Sequence, residues 1–522
     1  MTDSTSLPGA CSRRDALRSL LAGSVALSAG GILVGSAHAA AAQPRKGGRM
    51  TIATQSSSSA DTLDPAKAGL STDYLRAHMF YNGLTTLDAH LAPQMALAEA
   101  FETDDALTWT VRLRKGVVFH DGKPFTSADV VYSLNRHKLP ATGSKVKSVA
   151  QQFASVTAVD PLTVRIVLEG ANADLPVILA TANFVIVKDG ATSFDTAVGT
   201  GAFLCKEFTP GVRTVAVRNP YYWKAGLPYL DEIVLFGIPD ESARVNALLS
   251  GDVDWINDVN PRSAKRVREE PRAALLEAKS GLYTDLIIRK DLGVGRHPDF
   301  ATGMKYLIDR EQIKRAAFRG YADLGNDQPI APSNRFYFAG LPQRPYDPER
   351  ARFHLKRAGV LDLELPVVCS VAATGSVDMA MLLQQSAYKA GLKLKVKRVS
   401  ADGYWSNHWN KSPMGFGNVN PRPSADMVFT QFFKSDAPWN GSAWKNERFD
   451  QLLVSARAET DEAKRKLMYA DMQTLVHQHC GVGIPVFITI LEGLSKRVKG
   501  ASSHPLGSFM GYNCPEQVWV DA

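Results

Sequence analysis

The chain has 522 residues, with 60 Lys and Arg against 52 Asp and Glu and a formal net charge of +8 at pH 7. At the usual ~100–200 residues per domain, that length calls for two or three lobes and not a single core. The basic residues are interspersed with acids and never form a long basic block, which excludes the charge stripe of a nucleic-acid-binding protein.

Residues 1–39 read as an export signal. Ser12-Arg13-Arg14-Asp15-Ala16-Leu17 precedes a mildly apolar run over 20–34, and Ala37-His38-Ala39 offers small residues for cleavage before Ala40. The arginine pair resembles a twin-arginine signal, with a general secretory signal as the alternative. The run is too rich in Gly, Ala and Ser to supply the roughly 20 strongly apolar residues of a membrane span. Leu21-Ala22-Gly23 is followed by Ser24, so no lipid-bearing Cys is expected, and the mature chain is expected to be soluble in the periplasm.

Met50-Thr51-Ile52-Ala53 opens the first strand, and Ser56-Ser57-Ser58-Ser59 is a loop after it. Strict alternation predicts strands at Trp109-Thr110-Val111-Arg112-Leu113-Arg114 and over 162–168. Between them Thr126 is placed to start a helix carrying Val130, Val131 and Leu134. The stretch 85–200 is therefore expected to form an α+β subdomain.

Farther along, an apolar strand over 363–371, a helix over 377–389 and an alternating strand over 392–399 predict a parallel pair with a right-handed helical crossover. Phe449, Leu452, Leu453 and Ala456 mark one later helix; Met468, Met472, Leu475 and Val476 mark the next. Asp461 with Arg465 and Glu462 with Lys466 stand at i,i+4 spacing, which reads as solvated scaffold. Of the cysteines beyond the signal, Cys205, Cys369, Cys480 and Cys514, none has metal or redox spacing; Cys480 and Cys514 are either a bridge or buried free thiols.

At His120-Asp121-Gly122-Lys123-Pro124-Phe125-Thr126-Ser127-Ala128-Asp129-Val130-Val131-Tyr132-Ser133-Leu134 the chain resembles the extracytoplasmic solute-binding proteins of dipeptide, oligopeptide and nickel ABC importers, solute-binding family 5. Leu63-Asp64-Pro65, Gly199-Thr200-Gly201-Ala202-Phe203, Arg218-Asn219-Pro220-Tyr221-Tyr222-Trp223, the segment 247–254 and Leu307-Ile308-Asp309-Arg310 agree in the family's order. The resemblance implies an α/β, two-lobed periplasmic binding protein with a hinge and the extra subdomain in the first lobe. Lobe 1 would cover 47–290, lobe 2 would cover 295–480, and 485–522 would return to lobe 1. The chain would cross near 285–289 and 482–486, and the lobes would close around ligand there.

Four of the eight tryptophans fall within 405–444, beside Tyr404 and several Phe. Tyr404, Trp405, Trp409 and Trp439 sit among Asp, Gly, Asn and Pro, where rings can grip a ligand, and Trp405 is the expected principal contact. Relatives that bind dipeptides carry an acidic cluster here; this chain has Gly417-Asn418-Val419-Asn420-Pro421-Arg422-Pro423-Ser424-Ala425-Asp426. Arg422 suits a ligand carboxylate, and Asp426 either holds Arg422 or meets a ligand amine. The other reading is a structural Arg422–Asp426 ion pair. Asn420, and Ser58 from the first lobe, complete the expected contacts.

No nucleophile elbow, His-Glu-x-x-His or phosphate loop is present. His477 and His479 stand at i and i+2, which on a helix points them apart, so no metal site and no cofactor are expected. The expected function is the binding component of an ABC importer, a monomer that hands a peptide-like or carboxylate-bearing zwitterion to membrane subunits and binds no nucleic acid. The alternative is a secreted hydrolase with unrecognised machinery.

Overall fold

The computed structural model describes residues 43–521; the expected export signal lies outside the described residues. The first lobe is built on an eight-stranded mixed sheet. Arg49–Thr54 lies at its centre, parallel to Glu232–Gly237 on one side and to Trp255–Ile256 on the other. Antiparallel strands Arg213–Arg218 and Phe203–Thr209 extend one edge, Val486–Ser495 and Ala273–Lys279 extend the other, and the short strand Ala322–Leu324 pairs antiparallel with the start of Val486–Ser495 as the eighth. Met50, Ile52, Phe203, Leu235 and Trp255 fill the core on one face. Ala53, Val245 and Ile256 fill the core on the other.

The subdomain carries a four-stranded antiparallel sheet of Ala98–Glu102, Thr108–Leu113, Thr163–Leu168 and Phe153–Asp160. Trp109, Val111, Val164 and Ile166, the inward half of the alternation, pack with Val130 and Leu134 of helix Ser127–Arg136. That helix is capped from within: Asp129 accepts the Thr126 amide at 2.8 Å.

Several motifs are structural joints. Asp64 of Leu63-Asp64-Pro65 takes both guanidinium nitrogens of Arg136 at 2.9 Å. His120 donates from Nε2 to the Gly201 carbonyl at 3.0 Å and accepts the Gly199 amide on Nδ1 at 3.3 Å. Gly199 and Gly201 pass so close to the Phe80 backbone that a Cβ would lie 2.1 Å from its carbonyl oxygen at Gly199 and 2.4 Å from its carbonyl carbon at Gly201.

The second lobe holds a five-stranded sheet in the order Lys393–Arg398, Glu364–Cys369, Met414–Val419, Tyr283–Ile288, Val482–Gly483. Its first two strands are parallel and are joined through helix Ser376–Lys389, the crossover unit expected from the apolar spacing. One face packs on Leu286, Ile288, Met304, Leu355, Val367 and Leu383. A second cluster gathers Tyr283, Phe429, Phe449, Tyr469 and Met472.

Tyr283–Ile288 pairs on both sides, with Met414–Val419 and Val482–Gly483, so it is an interior strand of the second lobe. The first crossing therefore lies at Ser280-Gly281-Leu282 and not at 285–289: the apolar run Leu286-Ile287-Ile288 is buried sheet. The second crossing is at Ile484-Pro485, between strands of the two sheets. It is held by Asp327, whose Oδ1 accepts from the Ile484 amide at 3.1 Å and from Arg310 at 2.6 Å, while Oδ2 accepts from Arg344 at 2.8 Å. Arg310, the last residue of Leu307-Ile308-Asp309-Arg310, thus serves the crossing.

One open alternative is decided, for buried free thiols, and one further expectation is corrected. Cys480 and Cys514 are both free and buried, and they belong to different cores, Cys480 to the second lobe and Cys514 to the first. Arg465 is not solvated scaffold. Asp461 caps its helix instead, and Arg465 is buried against Asp174 of the subdomain at 2.7 Å.

Candidate ligand-binding site

Alternation along Tyr283–Ile288 divides its side chains between two surroundings. Leu286 and Ile288 enter the lobe core, while Asp285 and Ile287 line a pocket with Trp409, Gly417, Asn418, Phe432, Trp439 and Gly441. The cavity is about 10 Å³ measured to the centre of a water-sized group, room for one such group.

Asp285 is 5% exposed and its Oδ1 is sealed from solvent with no hydrogen-bond partner. Burial pushes its carboxyl up to about 7, against a weaker pull from its own amide and that of Gly417. Two other oxygens in this region are also sealed and unpartnered, Oη of Tyr283 and Oδ1 of Asn410. Such orphans are uncommon in folded proteins and ask for a reason.

The aromatic wall is built from two pairs of rings. Trp405 packs edge-on against Trp409 with ring centres 5.7 Å apart, and Phe432 lies 5.4 Å from Trp439. Trp405 and Trp439 each remain 42% exposed. Trp409 and Trp439 line the pocket, whereas Trp405 braces Trp409 from outside it.

Arg422 makes no ion pair among the described residues. Its Nε donates to Gln431 at 2.8 Å, Nη1 reaches the carbonyls of Asn420 and Pro421, and its guanidinium lies over the Phe432 ring at 5.6 Å. Burial lowers its pKa, and the phenols of Tyr283 and of Tyr74 from the first lobe act against that. Tyr74 in turn packs edge-on against Tyr512, with centres 5.4 Å apart, on the first-lobe side.

Several expected contacts are already engaged. Tyr404 is buried and its hydroxyl donates to the Phe416 carbonyl at 2.6 Å, so it is a core residue. Asp426 does not hold Arg422; its carboxylate takes Arg457 at 3.0 and 3.3 Å, and burial still raises its pKa. Ser58 forms a local turn, its amide bonding Asp61 and its hydroxyl accepting from Ala60. Asn420 is exposed and lends its carbonyl to Arg422. Asp285 was not among the expected site residues. Its signal was an acid inside an apolar strand.

The lobes also meet away from the pocket. The subdomain's Asp174, fully buried, faces Arg465 at 2.7 Å and Arg335 at 3.6 Å, and the Ala173 amide donates to the Arg457 carbonyl at 2.8 Å.

The chain as a whole is similar to known proteins. The glutathione-binding protein GsiB of Escherichia coli K12 is 25% identical over 459 residues, 84% of this chain and 89% of the relative. The fold is that of CtaP, an ABC transporter substrate-binding protein from Listeria monocytogenes, with a TM-score of 0.81 at 20% identity over 91% of this chain and 100% of the other. DppA from Helicobacter pylori, solved with the peptide STSA, aligns with a TM-score of 0.74 at 21% identity over 92% and 99% of the two chains. Residues 92–441 match the family model described as bacterial extracellular solute-binding proteins, family 5 Middle. The chain belongs to that family, the solute-binding components of ABC importers.

Proposed function

We propose that the protein is a periplasmic monomer that captures a peptide-like or carboxylate-bearing zwitterion between its lobes and passes it unaltered to the membrane subunits of an importer. The observation that carries this reading is Arg422: a half-buried guanidinium with no carboxylate partner among the described residues, lying over the Phe432 ring beside the pocket and close enough to the first lobe for its charge to be felt by the Tyr74 phenol. A planar fork in that setting pairs with a ligand carboxylate, and the exposed rings of Trp405 and Trp439 supply apolar contact. Glutathione and the STSA peptide, ligands named for GsiB and DppA, are both of this chemical class.

Titration calorimetry of Arg422→Ala tests the reading. A charged hydrogen bond of about 1.5–3 kcal/mol predicts a loss of about 10- to 100-fold in affinity. Unchanged affinity sinks the role of Arg422. Recovery of the solute intact after prolonged incubation separates a receptor from a secreted hydrolase.

A further inference from the structure

The pocket beside Arg422 contains a feature that a carboxylate-binding site does not need. Asp285 occupies the interior of a largely apolar, fully buried strand, with one oxygen unpartnered at the cavity it lines. The surrounding sequence keeps that oxygen uncovered. Gly417 stands directly across from Asp285 in the ladder, and a Cβ there would lie 2.5 Å from Asp285 Oδ1, 2.8 Å from Ile287 Cδ1 and 3.2 Å from the Trp409 indole nitrogen. On the other side of Ile287, a Cβ on Gly441 would lie 2.8 Å from the orphan Oδ1 of Asn410. Glycine inside a strand costs packing and marks places where another group approaches closely.

We propose that Asp285 is the anchor for the ligand's ammonium group, received in the pocket walled by Trp409, Trp439 and Phe432. A buried carboxyl is tolerated when a proton neutralises it or a cation pairs with it, and no cation among the described residues pairs with Asp285, which leaves that place to a ligand. Indole and phenyl faces attract a cation. An ammonium has three donors and no acceptor, which suits oxygens left without partners. The cavity holds one water-sized group, so a primary ammonium fits and a trimethylammonium does not. With Arg422 for the carboxylate, the two residues offer a zwitterion a partner of each sign. This inference rests on the receptor reading above and names the second half of the ligand.

The test uses a panel of amino acids, dipeptides, tripeptides and glutathione, each as the free zwitterion, the N-acetyl form and the C-terminal amide, titrated into the full-length mature protein. The expected result is that N-acetylation weakens binding by about 30-fold or more, as for a desolvated charge pair that loses one partner. Asp285→Asn is expected to lose a similar factor for the zwitterion and to stop discriminating between the free and acetylated forms. Equal binding of the acetylated form overturns the proposal, and so does full affinity and discrimination in Asp285→Asn. The first comparison needs no variant, so a folding defect in Asp285→Asn leaves the test intact. The amide arm reports on Arg422 separately: loss on amidation without loss on acetylation sinks the ammonium site alone, and the reverse sinks the carboxylate reading alone. A panel in which nothing binds overturns both.

Discussion

Asp285 and Gly417 face each other across two antiparallel strands, and the missing Cβ of the glycine is what leaves the carboxylate an open side. Gly417→Ala is expected to fill that opening. The backbone at Gly417 is not left-handed, so the change adds volume without backbone strain. Overpacking of this kind costs about 1–3 kcal/mol. Ligand affinity is expected to fall at least as far as in Asp285→Asn while far-ultraviolet circular dichroism stays native; calorimetry showing wild-type affinity would contradict the pocket's role.

The Asp285 carboxyl also sets a pH dependence. Its pKa rises from 3.8 to about 7 on folding, so between those values the native state holds a proton that the unfolded chain releases. Stability contributed by this group therefore falls as pH rises, by up to about 4 kcal/mol for a shift of this size. Tyr283, Tyr404 and Cys480, the side chains that sense its charge, are all raised in pKa and neutral near pH 7. Asp285→Asn is expected to gain on wild type in Tm as pH rises from about 4 to about 7 and to hold that gain above it. In the wild type, affinity for an ammonium ligand is expected to drop about tenfold per pH unit below about 7, because the carboxyl must first give up its proton. A flat Tm difference would refute the buried ionisation.

At the second crossing, Asp327 is fully buried among Arg310, Arg344 and Lys305. Burial alone would raise its pKa, and the three cations outweigh that and hold it low, while burial lowers Lys305 to about 8. Asp327→Ala leaves buried cations without their counter-charge and is expected to cost about 3–5 kcal/mol in urea unfolding. A loss under about 1 kcal/mol would show that the cluster relaxes into water.

Asp174 ties the first lobe's subdomain to Arg465 and Arg335 of the second lobe. Asp174→Asn removes the charge from that contact and is expected to favour separation of the lobes. Small-angle scattering of the ligand-free protein should give a larger radius of gyration, and ligand affinity should fall about tenfold or more, since closure must be restored by the ligand. An unchanged radius and affinity would mean that the pair only braces the fold.

The fold was legible because its signals are local and repeated. The apolar strand, Met379-Leu383-Ala387 helix face and Lys-alternating strand could hardly be read otherwise, and they appear as the parallel crossover unit. The site was less legible because loop-like composition says nothing about where a ring points. Tyr404 follows Asp402-Gly403, yet the short helix Tyr404–Asn407 turns its ring inward to reach Phe416. Asp426 and Arg465 found partners distant in sequence, Arg457 and Asp174, which spacing cannot reveal. Asp285 was hidden by its assignment to a hinge. Read instead as strand, an acid between Thr284 and Leu286 is a buried charge that asks for a partner.

Both crossings lie at neighbouring strands, since Tyr283–Ile288 pairs directly with Val482–Gly483. The second lobe is therefore an insertion whose two ends leave the first lobe side by side, and every residue lining the aromatic pocket comes from it. Recombination that exchanges one uninterrupted stretch of coding sequence would replace that pocket whole, and of the large sheet it would carry only the short strand Ala322–Leu324 that pairs with Val486–Ser495. A receptor organised this way can change what it gathers without relearning how to fold.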